Sequence, residues 1–126
     1  MRNLHLVLFF MLAAAPVSAD EIYDKCMDTS GGTNTGFGKC GGEWVARADA
    51  KLNAAWKELY SKAEDSSKKD LLTEQRLWNA FKEQSCNFLV NGDFGREGQV
   101  IHFPACRAGV IEQRTKQLEE YMSPGE

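Results

Sequence analysis

The sequence predicts an all-α domain: a small disulfide-stapled helical bundle built on a long antiparallel helix hairpin plus a C-terminal third helix. Three observations lead to this prediction. Residues 43–88 contain neither glycine nor proline, so nothing in this long stretch interrupts a helix. Its apolar residues recur at intervals of three and four, and no segment of the chain alternates convincingly with a period of two. Four cysteines in 126 residues are typical of small exported domains that are stabilised by cross-links.

The first element is an N-terminal export signal. Arg2 gives the first five residues a positive charge, and residues 6–15 form an apolar run. Small residues then precede a cleavage point after Ala19. The apolar run has about half of the roughly 20 residues that a membrane-spanning helix needs. We therefore predict that residues 1–19 are a cleaved signal peptide. Residues 20–126 are then a single domain in the periplasm or outside the cell, with no membrane insertion.

The charge of the mature chain limits its partners. Without the signal peptide, 107 residues remain, with 14 basic and 18 acidic side chains and a net charge of −4. This acidity argues against nucleic-acid binding, which needs clustered lysine and arginine to neutralise phosphates. It favours a basic protein partner, because opposite charges steer association. The sequence does not predict the oligomeric state.

The block without glycine or proline divides into two helices. It is too long for one ordinary helix, and the polar run at 65–70 is the predicted interruption, with Ser67 as the N-cap of the second helix. The short connection makes the two helices antiparallel neighbours. Their apolar stripes consist of Trp44, Ala48, Leu52, Ala55, Trp56, Leu59 and Ala63 in the first, and Leu71, Leu72, Gln75, Trp78, Phe81, Ser85 and Phe88 in the second.

A third helix is predicted over 105–122. Its stripe comprises Ala108, Ile111, Thr115, Leu118 and Met122. The stretch between the second and third helices, residues 89–104, reads as a loop in which residues 100–103 are the one candidate for extended structure. The glycines at 36, 38, 41 and 42 each cost about 1 kcal/mol inside a helix, so we expect the first helix to have a frayed or broken start.

The cysteines are interpreted as two disulfides. The sequence has no closely spaced Cys-x-x-Cys pair for zinc. A catalytic thiolate needs a histidine partner, and His102 is the single histidine of the mature chain, which argues against that role. Four cysteines allow three pairings, and none is excluded outright. We favour Cys26–Cys40 and Cys86–Cys106, which close the glycine-rich entry and the long loop separately. Each would stabilise the fold by roughly 3 kcal/mol in the chain-entropy model. No enzyme activity, metal or cofactor is expected, because no catalytic triad order or phosphate loop is present.

Three groups of residues resemble a known family. They are Leu52, Asn53, Ala55, Trp56, Lys57 and Leu59 after Cys40; Gln75, Arg76, Trp78, Phe81, Lys82 and Glu83 before Cys86; and Arg114, Thr115 and Leu118 after Cys106. The chain from about 26 to 121 resembles the LprI-like lysozyme-inhibitor domain. This resemblance implies an all-helical, disulfide-bonded protein of the bacterial envelope that binds and inhibits lysozyme or a related peptidoglycan-cleaving enzyme. The alternative is an envelope interaction module with an immunity or stress role and a different target.

Most of these motif residues are expected to be structural. Those assigned structural roles are Leu52, Asn53, Trp56, Gln75, Arg76, Trp78, Phe81 and Arg114. The three aromatic side chains are expected in the core, since large aromatics at helical spacing are what a small bundle needs. Arg76 is expected to stack on an aromatic ring or to pair with an acid such as Glu58. Arg114 is expected to tie the third helix to the hairpin.

The candidate partner-binding residues lie in the long connector. They are Asp93, Phe94, Arg96 and Glu97, and they include the aromatic and guanidinium types that are enriched at binding hot spots. In one interpretation the segment is a recognition loop, whose Arg96 enters the carboxylate-containing cleft of a lysozyme. In the other it is an ordinary disulfide-closed connector, with Phe94 folded back onto the bundle.

Overall fold

A computed structural model describes residues 20–91 and 95–124, and all regular secondary structure in these ranges is helical. The all-α prediction is therefore confirmed. The helices are α1 (Glu21–Asp28), α2 (Asn34–Lys62), α3 (Asp65–Gln84), the three-residue turn α4 (Gly95–Glu97) and α5 (Phe103–Met122). A 3₁₀ turn at Asn87–Val90 follows α3, and a π-helical turn at Gly98–His102 leads into α5. The predicted signal peptide, residues 1–19, lies outside the described residues.

The core forms mainly between α2 and α5, which run in the same direction. Gly41 meets Pro104 at their start, Lys51 shares a depression with Thr115 further along, and Glu58 shares one with Met122 near their end. The buried core consists of Tyr23 from α1, Cys40, Trp44, Ala48, Leu52 and Ala55 from α2, and Ala108, Ile111 and Leu118 from α5. All of them except Tyr23 and Cys40 belong to the predicted stripes of the first and third helices. Small residues such as Ala48 and Ala108 allow the two backbones to approach closely.

Helix α3 runs opposite to α5, since Glu74 contacts Tyr121 while Glu83 contacts Arg107. It is therefore antiparallel to α2, as predicted, but α5 rather than α3 packs closely against α2. None of residues 65–84 is fully buried. Helix α3 presents bulky or long side chains to the rest of the domain, and this keeps its backbone further from the core.

The glycine-rich segment at 36–42 does not fray, which corrects the expectation from sequence. Helix α2 begins at Asn34 and runs without a break through all four glycines. The Thr33 hydroxyl caps it by accepting a hydrogen bond from the Gly36 backbone N–H at 3.0 Å. A disulfide at Cys40 and the packing of α5 against this first part of the helix compensate for the poor helix propensity of glycine.

Two glycines in this segment have opposite structural environments. A Cβ added at Gly41 would lie 2.6 Å from the Cβ of Pro104, whereas a Cβ at Gly42 meets nothing within 4 Å. We expect Gly41→Ala to lower the free energy of unfolding by about 1–3 kcal/mol through overpacking. Gly42→Ala should raise it by up to about 1 kcal/mol through better helix propensity. Urea denaturation of the oxidised proteins measures both changes in the free energy of unfolding. Equal changes for the two variants would contradict the close approach of Gly41 to Pro104.

Both favoured disulfides are present. Cys26 is bonded to Cys40, and Cys86 to Cys106, with Cα–Cα distances of 5.6 and 6.0 Å. The first joins α1 to α2, and the second joins the residues after α3 to the first turn of α5. This agreement selects one of the three pairings that the sequence left open.

Helix α1 was not predicted. The Asp20 carboxylate caps it by accepting from the Tyr23 backbone N–H at 3.0 Å, and it also pairs with Arg47 at 2.9 Å. Burial raises the pKa of Asp20, but the hydrogen bonds from Arg47 and Tyr23 outweigh it, so the pKa lies below its ordinary value. The Tyr23 ring packs on Trp44 with centroids 4.6 Å apart. An aspartate followed by acids in the next turn was the available sequence signal.

Two boundaries differ from the prediction. Helix α3 begins at Asp65, so Ser67 lies inside its first turn rather than at its cap. Residues 98–103, part of the expected loop, form helical turns that lead into α5. Pro104 lies in the first turn of α5, a position at which proline is common. The candidate extended structure at 100–103 therefore does not form.

Candidate functional site

Arg114 is the centre of the contact between α3 and α5. Its side chain is almost completely buried, and its Nε and Nη2 atoms donate to Gln75 Oε1 at 3.0 and 2.9 Å. Its Nη1 atom donates to Glu74 and Gln117. The guanidinium also lies 5.9 Å from the centroid of the Trp78 ring. A buried cation thus joins α3 to α5.

Tyr121 completes this polar cluster. Its hydroxyl donates to Glu74 Oε1 at 3.0 Å, and its ring centroid lies 6.0 Å from the Arg114 guanidinium. Burial raises the pKa of Tyr121, and the neighbouring Glu74 carboxylate adds to this increase. Sequence reasoning singled out Gln75, Trp78 and Arg114 but missed Glu74 and Tyr121. The i, i+7 spacing of Arg114 and Tyr121 places both on one face of α5, but it does not pair either of them with Glu74 on α3.

The remaining motif residues are distributed along α2 and α3. Leu52 is buried in the core, and Trp56 is half-buried and stacks on Tyr60 with centroids 5.7 Å apart. Asn53 and Arg76 are exposed. No pair between Arg76 and Glu58 forms among the described residues. Glu58 instead pairs with Lys62 at 2.6 Å, one helical turn along α2.

Phe81 corrects one expectation. It was expected in the core, but its side chain is 61% exposed. The reason is the position of α3, which packs against α5 through Trp78 and the Arg114 cluster and leaves the flank with Phe81 uncovered.

An open groove of about 420 Å³ lies between α3 and α5. Its lining residues are Trp78, Phe81, Val110, Gln113, Arg114, Lys116, Gln117 and Glu120. Leu77 and Tyr121 are also exposed on these helices, at 69% and 42%. We call this surface, Leu77 and Tyr121 together with the groove, the α3–α5 groove surface. It combines the rings of Trp78, Phe81 and Tyr121 with amide groups and with charged groups of both signs.

The predicted binding loop is only partly described. Asp93 and Phe94 lie outside the described residues, whereas Arg96 and Glu97 are exposed in α4. The loop is closed at its base by the Cys86–Cys106 disulfide. A second closure is the hydrogen bond from Gln99 Nε2 to the carbonyl of Val90, at 2.9 Å.

The described helices carry neither a metal cluster nor a candidate membrane span. Within residues 20–91 and 95–124, no group of three or more His, Cys, Asp or Glu side chains is placed to hold a metal ion. In the same part of the chain, no helix combines the length and apolarity that crossing a membrane requires.

Comparison with known protein families gives a match over most of the chain. The family model described as lysozyme inhibitor LprI matches residues 26–118. The matched region contains both disulfides, all of α2 and α3 and most of α5, including Arg114 and its partners on α3. Neither the comparison with curated proteins nor the comparison with solved structures found a match. A match over this much of the chain establishes that the protein belongs to the LprI lysozyme-inhibitor family.

Proposed function

We propose that this chain is an exported protein that binds lysozyme, or a related peptidoglycan-cleaving enzyme, and inhibits it without catalysing a reaction. The observation that carries the proposal is the family match over residues 26–118. Export through residues 1–19 is part of the proposal, with residues 20–126 acting as one domain in the periplasm or outside the cell. The two disulfides support this location, because such bonds persist in oxidising compartments.

Charge supports lysozyme as the partner. The chain from residue 20 onward has a net charge of −4, whereas animal lysozymes are strongly basic. Attraction between such surfaces increases the association rate and weakens as salt is added. A binding rate that falls with ionic strength is therefore expected for the complex.

Arg96 is the proposed inhibitory contact. Lysozyme cleaves glycosidic bonds with two carboxyl groups in a cleft, and a guanidinium is a good partner for a carboxylate. Arg96 is exposed on a turn, and the Cys86–Cys106 disulfide and the Gln99–Val90 hydrogen bond restrain the ends of its loop. Restraint before binding lowers the entropy lost on binding. Arg96 can thus be presented to a cleft at a small entropic cost.

The test is a titration of a basic animal lysozyme on cell-wall substrate. We expect the wild-type chain to reduce lysis in proportion to its concentration. Arg96→Ala should weaken inhibition about tenfold or more, as for a hot-spot residue. Arg76→Ala is the matched control, because Arg76 is an exposed arginine on α3. It should inhibit like the wild type.

Two results would contradict these proposals. Undiminished lysis at a several-fold molar excess of the wild-type chain would exclude lysozyme as the target and leave the envelope module with another partner. Inhibition that is equal for the wild type and Arg96→Ala would keep the function but remove Arg96 from its mechanism.

A further inference from the structure

The two disulfides hold elements that differ in how deeply they are buried. Cys26–Cys40 joins α1 to α2, and both Cys40 and Tyr23 of α1 belong to the buried core. Cys86–Cys106 joins the end of α3 to α5, and none of residues 65–84 is fully buried. A helix without a fully buried side chain opens locally at a lower free energy than one that is part of the core. Cys86–Cys106 therefore becomes accessible when α3 opens, whereas Cys26–Cys40 becomes accessible when the core is disrupted.

The backbone of Cys86 adds a second difference. Its φ of 70° makes it the one non-glycine residue with a positive φ within residues 20–91 and 95–124. A Cβ in this conformation lies too close to the following carbonyl oxygen, so the conformation persists only where the surrounding structure imposes it. The surrounding restraints are the end of α3, the turn at Asn87–Val90 and the bond to Cys106. Breaking that bond removes one restraint and allows the backbone to relax, which favours the reduced form.

Two cations lie at the end of α3 that carries this disulfide. The side chains of Lys82 and Arg107 are 20% and 14% exposed, and both approach the Glu83 carboxylate, at 3.8 and 3.6 Å. Arg107 directly follows Cys106, and its buried Nε makes no hydrogen bond among the described residues. One exposed carboxylate thus faces two largely buried cations. Such an excess of positive charge stabilises a thiolate and makes it a better leaving group.

The charges next to Cys26–Cys40 are different. Lys39, which precedes Cys40, is 74% exposed and pairs with Glu43 at 3.8 Å. Lys25, which precedes Cys26, is exposed and belongs to a helix with three acids. Water and salt screen exposed charges, so these lysines stabilise a thiolate little. Both burial and charge therefore favour Cys86–Cys106 as the disulfide that is reduced first.

We propose that Cys86–Cys106 is a redox switch: a dithiol opens it before Cys26–Cys40, which releases α3 and removes the inhibition assigned to Arg96. The inhibitory part rests on the proposed function. Arg96 lies between the two cysteines, and their disulfide closes the base of its loop. Without this closure, fixing Arg96 in a cleft costs more conformational entropy. The oxidised chain inhibits, and the chain reduced at this disulfide does not.

The exchange proceeds in two steps. A thiolate of the dithiol bonds to Sγ of Cys106, the less buried partner, the Cys86–Cys106 bond breaks, and Cys86 leaves with the electron pair as a thiolate. The second thiolate of the dithiol then attacks the first sulfur of the same molecule and releases Cys106. Two electrons have passed to the protein, and the dithiol has become a disulfide. The two protons of the dithiol reach Cys86 and Cys106 through water.

The first test follows the order of reduction, with dithiothreitol as the dithiol. The oxidised wild type is treated without denaturant, free thiols are alkylated at intervals, and peptide mass spectrometry identifies the labelled cysteines. We expect Cys86 and Cys106 to be labelled at least about tenfold faster than Cys26 and Cys40. Hydrogen exchange of the form opened at 86 and 106 should show lost protection in α3 and retained protection in α2 and α5. Equal rates, or faster labelling at Cys26 and Cys40, would overturn the switch.

Arg114→Met tests whether the opening of α3 controls the reaction. Arg114 links α5 to Gln75 of α3, so its loss should increase the ratio of the two reduction rates by about tenfold or more. The ratio is the measured quantity, because a change in global stability accelerates the reduction of both disulfides. Arg76→Met is the matched control at an exposed position of α3 and should leave the ratio unchanged. An unchanged ratio for Arg114→Met would also overturn the switch.

The lysis assay tests the effect on inhibition. The form alkylated at Cys86 and Cys106 is freed of dithiothreitol and titrated against a basic animal lysozyme on cell-wall substrate. It should inhibit about tenfold or more weakly than the oxidised wild type. The variant Cys26→Ser/Cys40→Ser, in which Cys86–Cys106 is intact, is the control and should inhibit like the wild type.

The outcomes separate the two proposals. If the oxidised wild type inhibits lysozyme and the opened form inhibits equally well, the switch is wrong and the proposed function stands. If the oxidised wild type does not inhibit, the proposed function is wrong, and the switch is wrong as its regulation whatever the order of reduction.

Discussion

Replacing Arg114 by methionine is expected to lower the free energy of unfolding by about 3 kcal/mol, the lower end of the range for breaking a buried ion pair. The side chain is 3% exposed and donates to Gln75, Glu74 and Gln117. Removing it leaves these acceptors without their donor. The effect stays near the lower end because the Glu74 side chain is 43% exposed and can regain water.

Urea denaturation with intact disulfides measures this effect. Arg76→Met is the matched control, because it makes the same replacement at an exposed position of α3. It should change stability by less than about 0.5 kcal/mol. Arg114→Lys should recover only part of the loss, since an ammonium cannot reproduce the planar fork that bonds to Gln75. Equal stability of the Arg114 and Arg76 methionine variants would show that the cluster contributes little to the fold.

Removing the Cys86–Cys106 disulfide by a double serine replacement is expected to cost about 3 kcal/mol, the chain-entropy value for a loop of this size. The loss should be concentrated in α3. None of residues 65–84 is fully buried, so this helix depends on the disulfide, the Arg114 cluster and half-buried side chains such as Trp78. Its amides should therefore lose protection in hydrogen exchange before those of α2 and α5.

The serine variant of Cys26 and Cys40 is the matched control. It opens a loop of similar length and should cost a similar free energy, but the loss of protection should fall on α1 and the start of α2. Uniform loss of protection along the chain in both variants would mean that the domain unfolds as one cooperative unit. The prediction that α3 is held more weakly than α2 and α5 would then be wrong.

The sequence predicted where the helices lie better than which helices pack against each other. Apolar periodicity identified the buried faces of α2 and α5, down to Leu52, Ile111 and Leu118. Periodicity describes one helix at a time, and it does not say which face packs against which. The short connection suggested α3 as the close partner of α2, but α5 packs there instead, with Ala48 and Ala108 both buried in the core.

The same limit applies to the candidate site. The motif pointed to Gln75, Trp78 and Arg114, which the structure places together. Glu74, Gln117 and Tyr121 could not be identified, because polar partners of a buried arginine are fixed by the distance and rotation between two helices. The prediction that Phe81 lies in the core was wrong for the same reason. Its helical spacing is correct, but no other element covers the side of α3 on which it lies.

The parallel pairing of α2 with α5 also sets the order in which the domain can be assembled. The two helices are separated by residues 63–102, so their contact requires a long segment to be closed first, with the associated entropic cost. During synthesis α2 precedes α5, and Leu52 and Ala55 therefore have no partner on α5 until residues 103–122 follow. An interface formed late between distant segments slows folding compared with contacts between sequence neighbours. For that interval the apolar face of α2 is available to other newly made chains.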